Sequence, residues 1–215
     1  YGEATATSYY GVTIKKMQAD ILNIEDLIAE NILLEPEELW ELTYSHLKEN
    51  PFALCSLDMA MHDLHGKRNR QPLYQLWGLD LKNIPLTNYT IGIDSVEKMV
   101  QKIKEFPWPL YKIKLGTQDD VAIVRELRKH TNSVFRVDAN AAWTVDQAIE
   151  NAKALKELNV EFLEQPLKAN DWEGMEKLYK ESVLPLIADE SCIEESDVEK
   201  CAGYFHGINI KLTKC

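Results

Sequence analysis

Five short apolar runs between residues 112 and 211 set the pattern of this chain: YKIKLG, VFRVDAN, EFLEQP, LPLIADES and GINIKLTK. Each delivers charge late in the run, in order Lys112 with Lys114, then Asp138, Glu164, Asp189 and Lys211. From Lys114 onward the spacings are 24, 26, 25 and 22 residues, the length of one strand–helix unit. Helical patterns fill the intervals: 118–130 (Val121, Val124, Leu127), 144–158 capped by Thr144 (Ala148, Ala152, Leu155), 171–181 (Trp172, Met175, Leu178) and a shorter one near 196–202. NYTIGI at 88–93 opens the series as a further strand, followed by a helix capped at Asp94 with Val96, Val100 and Ile103 inward. Strands alternating with helices at this period predict a parallel sheet or barrel of βα units, with six strands visible.

Side chains alternate faces along a strand, so Lys112 and Lys114 share a face, and Ile113 takes the other. The same rule groups Arg136 with Asp138 and Asn140, Phe162 with Glu164, Ile187 with Asp189, and Asn209 with Lys211. One isolated charge of this kind is usually solvated. Five in register, each late in an apolar strand, point instead to the inward face at the C-terminal end of a βα barrel, where catalytic groups sit.

Residues 1–83 lack this rhythm and read mostly as helices. GEATATSYYG resembles a strand end running into a loop, and Ile21 to Asn31 predicts a helix. PEELWELTYSHLKE predicts another, with Pro36 in its first turn and acidic residues after it. Asn50-Pro51 then caps the longest helix, whose Leu54, Leu57, Met61 and Leu64 form an apolar stripe ended by Gly66. His62, Asp63 and His65 on that helix do not make a two-ligand face with a base, so solvent or packing roles are expected for them. The expected domains are therefore 1–83 and 84–215.

Composition narrows the function. Hydrophobic residues make up 45% and charged residues 27%, as in an ordinary soluble protein, and the formal net charge is −11. That balance argues against nucleic acid, which favours basic stripes, and against anionic membrane surfaces. No apolar run approaches the roughly 20 residues that span a bilayer. The four cysteines, Cys55, Cys192, Cys201 and Cys215, lie far apart without a CxxC pair, which fits a reducing cytosol and a cytoplasmic location. Cys192 follows the ADES run, but no base is paired with it. Gly116 is a turn residue and no Gly-rich phosphate loop is present.

The motifs KIK at 112–114, VDAN at 137–140, EQP at 164–166, ADES at 188–191 and NIKLTK at 209–214, with GEA at 2–4 and ALCSLDMAMHDLHGK at 53–67, resemble the enolase superfamily. Within it they are most similar to the muconate-cycloisomerase-like subgroup and its dipeptide (L-Ala-D/L-Glu) epimerases. The resemblance covers essentially the whole chain. It implies an α/β fold: a partial (β/α) TIM-type barrel over 84–215, preceded over 1–83 by the helical part of an α+β capping domain. It also implies that two βα units follow the sixth strand, and that the chain is an internal piece of a longer enzyme. Expressed alone, an open six-stranded sheet would have two unpaired edges, so poor solubility and no activity are expected of the piece.

The resemblance also implies roles. Asp138, Glu164 and Asp189 converge as oxygen ligands, a set that suits a hard ion such as Mg²⁺, with Asn140 and Glu190 orienting ligands or lysines around them. Lys114 and Lys211, on the second and sixth strands, face each other across an eight-stranded barrel as a pair of bases. A free lysine near pKa 10.4 is too weakly acidic for that work, so neighbouring cations and burial are expected to lower it. Lys112 stays charged and helps hold an enolate oxygen. The implied reaction is removal and return of an α-proton next to a carboxylate. The partner is a small molecule, a dipeptide or another carboxylate, and homo-oligomerisation is compatible with the sequence. The same residues serve o-succinylbenzoate synthase, N-acylamino-acid racemase and muconate cycloisomerase; an inactive truncated barrel is the other reading.

Overall fold

A computed structural model describes residues 1–214; Cys215 lies outside the described residues. Two compact units result, one formed by residues 1–85 with the stretch from Lys211 on, the other by Leu86–Ile210.

The first unit is helical: α1 (Ile14–Leu22), α2 (Glu25–Glu30), α3 (Pro36–Leu47), α4 (Pro51–Asn69) and the single turn α5 (Leu73–Leu76). Met17, Ile24, Leu47, Phe52, Ala53 and Leu54 form its core. The helix expected over Ile21–Asn31 is corrected here. Thr13 caps α1 by accepting from the Lys16 N–H, and the chain leaves the helix at Ile24, which turns its side chain into the core. Pro36 begins α3 behind a capping box between Glu35 and Glu38. Asn50 caps α4 through the Ala53 N–H. Gly66 does not end α4: the helix runs on to Asn69 and stops at Arg70, whose backbone is left-handed (φ 54°). Gly2 lies so close to α4 that a β-carbon there would sit 1.8 Å from the Ser56 carbonyl oxygen. Asp63 pairs with Lys67, and the His62 and His65 rings lie against the carboxylates of Asp58 and Glu35, so the three side chains have separate partners. Among the described residues no helix is long and apolar enough to cross a membrane.

The second unit alternates β1 (Tyr89–Ile91), α6 (Val96–Glu105), β2 (Leu110–Lys114), α7 (Asp120–Arg128), β3 (Val134–Asp138), α8 (Val145–Glu157), β4 (Val160–Glu164), α9 (Trp172–Glu181), β5 (Leu186–Ala188), α10 (Asp197–Cys201) and β6 (Gly207–Ile208). All pairings are parallel and the strands stand in sequence order. Right-handed crossovers in unreversed order put every helix on one face of the sheet. That is part of a barrel, since a doubly wound sheet reverses its order and carries helices on both faces. Ile113, Phe135, Val137, Leu163, Leu178 and Leu186 are fully buried in the layer between sheet and helices. The cap of α6 is Ser95, accepting from the Lys98 N–H, one residue beyond the expected Asp94. Thr144 caps α8 as the sequence suggests, and Asp171 caps α9. The sixth strand is shorter than expected. Its ladder ends with the Asn209 N–H on the Ala188 carbonyl, so Lys211 lies beyond β6 and groups with the first unit.

Candidate active site

Of the charges expected on one face, Lys114, Asp138 and Glu164 line up. Lys114 pairs in register with Asp138, and Asp138 with Glu164, across β2, β3 and β4. Residues at the same level of adjacent strands point the same way, so an ammonium and two carboxylates stand side by side at the C-terminal edge. Glu164 is level with Ile187 of β5, which sets Asp189 one pleat further along.

Burial makes this row electrostatically demanding. Asp138, Glu164 and Asp189 are all buried. The Lys112 ammonium lies between the first two, 3.0 Å from Asp138 Oδ2 and 2.7 Å from Glu164 Oε1. The Lys114 ammonium is 3.5 Å from the same Asp138 oxygen. Burial pulls the Lys112 pKa down, but the Asp138 and Glu164 carboxylates together outweigh it and hold the group above the ordinary lysine value. The two carboxylates thus hold the Lys112 amine in its charged form. The Glu164 carboxyl is pushed up by burial and then by the negative charge of Asp138, with Lys112 working against them and Asp189 adding a smaller push.

Smaller contacts complete the cluster. Asn209 donates through Nδ2 to Glu164 Oε1 at 2.7 Å. Asn140 reaches Asp138 through its backbone, its N–H donating to Oδ1 at 3.0 Å. The strand has ended by then and Asn140 is left-handed (φ 48°) and exposed. The expectation that its side chain shares the strand face with Asp138 is thus corrected to a main-chain contact. Glu190 follows Asp189 and is half-buried. Burial first, and then the Cys192 sulfur, pushes the Cys201 thiol up to about 11, the opposite of an activated nucleophile.

The structure thus brings together Lys112, Lys114, Asp138 and Glu164, with Asp189 close enough to act on Glu164. It does not carry Lys211 on β6. The sequence reading passed over Asn209 as a partner of Glu164, although its position two residues before Lys211 was a usable signal. It also gave no role to Gln165.

Among the described residues, no three His, Cys, Asp or Glu side chains are drawn into a cage around one point. The donor set still fits a hard divalent cation. Asp138 Oδ2 is shut off from solvent and makes no hydrogen bond, its contacts being ionic. The upward push on Glu164 from two other carboxylates is the like-charge crowding that such a cation relieves.

Comparison with known proteins agrees with this geometry. Residues 94–215 match the family described as "Enolase C-terminal domain-like", and residues 1–78 match the "Mandelate racemase / muconate lactonizing enzyme, N-terminal domain". The L-Ala-D/L-amino acid epimerase of Maribacter sp. is 56% identical over the whole chain, and the enzyme of the same name from Flavobacterium johnsoniae is 52% identical. The chain spans 64% of the length of each. A dipeptide epimerase from Enterococcus faecalis, solved with Mg and the dipeptide L-Leu-L-Tyr, superposes with a TM-score of 0.85 at 33% identity, covering 100% of this chain and 63% of that one. With a partial barrel of six strands in sequence order, an in-register row of lysine and carboxylates, and matches along both units, the chain belongs to the mandelate racemase / muconate lactonizing enzyme branch of the enolase superfamily.

Proposed function

We propose that the protein containing this chain is a Mg²⁺-dependent epimerase that inverts the carbon next to a carboxylate, acting on dipeptides that begin with L-Ala, those of the L-Ala-D/L-Glu type from cell-wall peptide included. The in-register row of Lys114, Asp138 and Glu164 carries this reading. Identity above 50% to two L-Ala-D/L-amino acid epimerases supports the substrate class and favours a second residue that is not restricted to Glu. In this reading residues 1–83 belong to the capping domain and 84–215 to the barrel, and the enzyme works in the cytoplasm on a small-molecule substrate.

Asp138, Glu164 and Asp189 would hold the metal, with Asn140 and Glu190 around them. Bound there, Mg²⁺ supplies Lewis-acid stabilisation of the charge that builds on the substrate carboxylate. Lys112, kept protonated by Asp138 and Glu164, adds a second positive charge at the same place. Lys114 has a side chain 39% exposed and reaches the edge of the site, where its amine takes the α-proton from one face. Lys211 is assigned the other face. Neither lysine needs a covalent step: one amine takes the α-proton, and the other, protonated beforehand, gives a different proton to the opposite face.

The test is proton NMR of the intact protein with L-Ala-L-Glu and a panel of L-Ala dipeptides in deuterium oxide. Loss of the C-terminal residue's α-proton signal and appearance of the L,D isomer are expected, both stopped by EDTA and restored by Mg²⁺. Exchange confined to N-succinyl amino acids, or full activity after EDTA, would overturn the reading.

A further inference from the structure

Gln165 is fully buried and follows Glu164 at the end of β4. Its backbone is left-handed (φ 37°), a conformation that a side chain with a β-carbon adopts only when its surroundings hold it there. Every hydrogen-bonding atom of its amide is used. Oε1 accepts from the N–H groups of Asp189 and Ser191, both at 3.0 Å. Nε2 donates to the Leu167 carbonyl and to Ser191 Oγ, both at 2.9 Å. A primary amide has two donor hydrogens and two acceptor lone pairs, so this one is saturated without water. Its orientation is fixed as well: two N–H donors face Oε1, and a carbonyl that can only accept faces Nε2.

The main chain of Gln165 extends the tie. Its N–H donates to the Ile187 carbonyl at 2.9 Å, and its carbonyl accepts from the Ala141 N–H at 2.8 Å. Ser191 Oγ in turn donates to the Ala169 carbonyl. The loops that follow β3, β4 and β5 therefore meet at this one residue. Those loops begin at Asp138, Glu164 and Asp189.

We propose that Gln165 is a positioning residue for the metal site, setting the carboxylate of Asp189 by holding the Asp189 N–H and so fixing the spacing between the β4 and β5 ligands before any ion arrives. This rests on the Mg²⁺ reading above. Mg²⁺ demands near-ideal octahedral geometry at short range, so a small displacement of one ligand costs affinity. Groups that orient ligands typically contribute about 10–100-fold. Nothing but an amide fits the place. Glu would lose both donors and bury a further negative charge beside Asp189, and an apolar side chain would leave two buried N–H groups without acceptors.

Two measurements on the intact protein test this. In metal-free wild type, amide hydrogen exchange at Asp189 and Ser191 is expected to be as slow as within β4. Fast exchange there that slows only with Mg²⁺ would mean that the ion, and not Gln165, orders the loop, and would overturn the proposal without need of a variant. Calorimetric Mg²⁺ titration then compares wild type, Gln165→Met, which keeps length and volume, and Leu155→Ala, a core truncation in α8 that destabilises away from the site. Gln165→Met is expected to weaken Mg²⁺ binding by roughly 10–100-fold, and Leu155→Ala to lower the melting temperature with affinity within about twofold of wild type. If wild type binds and Gln165→Met binds equally, or if Leu155→Ala loses as much, the positioning role is wrong. If wild type itself binds no Mg²⁺, the metal reading is wrong and the proposal falls with it, an outcome the titration separates from the others.

Discussion

In the function proposed above, Lys112 would act in opposite senses on metal binding and on turnover. Its ammonium neutralises part of a buried site that carries three carboxylates, contacting Asp138 and Glu164 directly. Removing that charge leaves two buried carboxylates facing each other, which costs stability but makes the site more attractive to a divalent cation. We therefore expect Lys112→Ala to bind Mg²⁺ more tightly than wild type, and to gain more melting temperature when Mg²⁺ is added. We also expect its kcat to fall by roughly 10²–10³, the usual loss for one fixed charge that stabilises a developing oxyanion. Calorimetry, thermal melts with and without Mg²⁺, and steady-state kinetics measure the three effects. A variant with weaker Mg²⁺ binding and unchanged kcat would show that Lys112 is not the fixed cation of the site.

At the scale of elements, the site depends on how the loops after the strands are fastened. Asp120, in the first turn of α7, is 2% exposed. It accepts from Gly116 N–H, Thr117 N–H, Thr117 Oγ1 at 2.7 Å and, from the loop after β3, Trp143 Nε1 at 2.7 Å. One carboxylate thus ties the loop that follows Lys114 to the loop that follows Asp138. Asp120→Ala strands several donors at once and is expected to cost about 2–4 kcal/mol in urea denaturation. Asp120→Asn should recover less than half of that, because its NH₂ group must face another donor. Little of this fastening can be read in the sequence, since it depends on loops meeting across the sheet. The strands themselves were legible, because burying one face forces an alternation that Lys112-Ile113-Lys114 and Arg136-Val137-Asp138 display openly. Caps at Asn50 and Thr144 were legible because each lies next to the helix that it starts. Helix α1 was not: the denser apolar run after Ile21 drew the boundary to the wrong place, and only the tertiary demand to bury Ile24 breaks that run in two. The end of β6 was hidden too, because how far a strand runs depends on the neighbour that pairs with it. Gln165 stood in plain view within EQP, but its left-handed backbone and its three loops belong to the fold.

At the scale of the whole molecule, the strand order says where two bases can stand. β2 and β6 are four positions apart in an unreversed sheet, and four positions are half the circumference of a barrel of eight strands. We propose that a lysine at the end of β2, Lys114, and one past the end of β6, Lys211, would address opposite faces of a substrate. Each lysine acts as the acid when the other has acted as the base, so losing either should stop epimerisation in both directions. Losing one should still leave the other able to exchange the α-proton of the stereoisomer that it faces. We expect Lys114→Ala to exchange one stereoisomer of an L-Ala dipeptide with deuterium oxide, Lys211→Ala to exchange the opposite one, and neither to interconvert them. Lys112→Ala should slow both exchanges alike, since its charge serves the shared intermediate and favours no face. Proton NMR of each pure stereoisomer with each variant of the intact protein reads all of these at once. Two base variants that exchange the same stereoisomer would place both lysines on one face, and near-normal epimerisation by Lys211→Ala would remove Lys211 from the reaction, leaving Lys114 to act with a partner from elsewhere in the barrel.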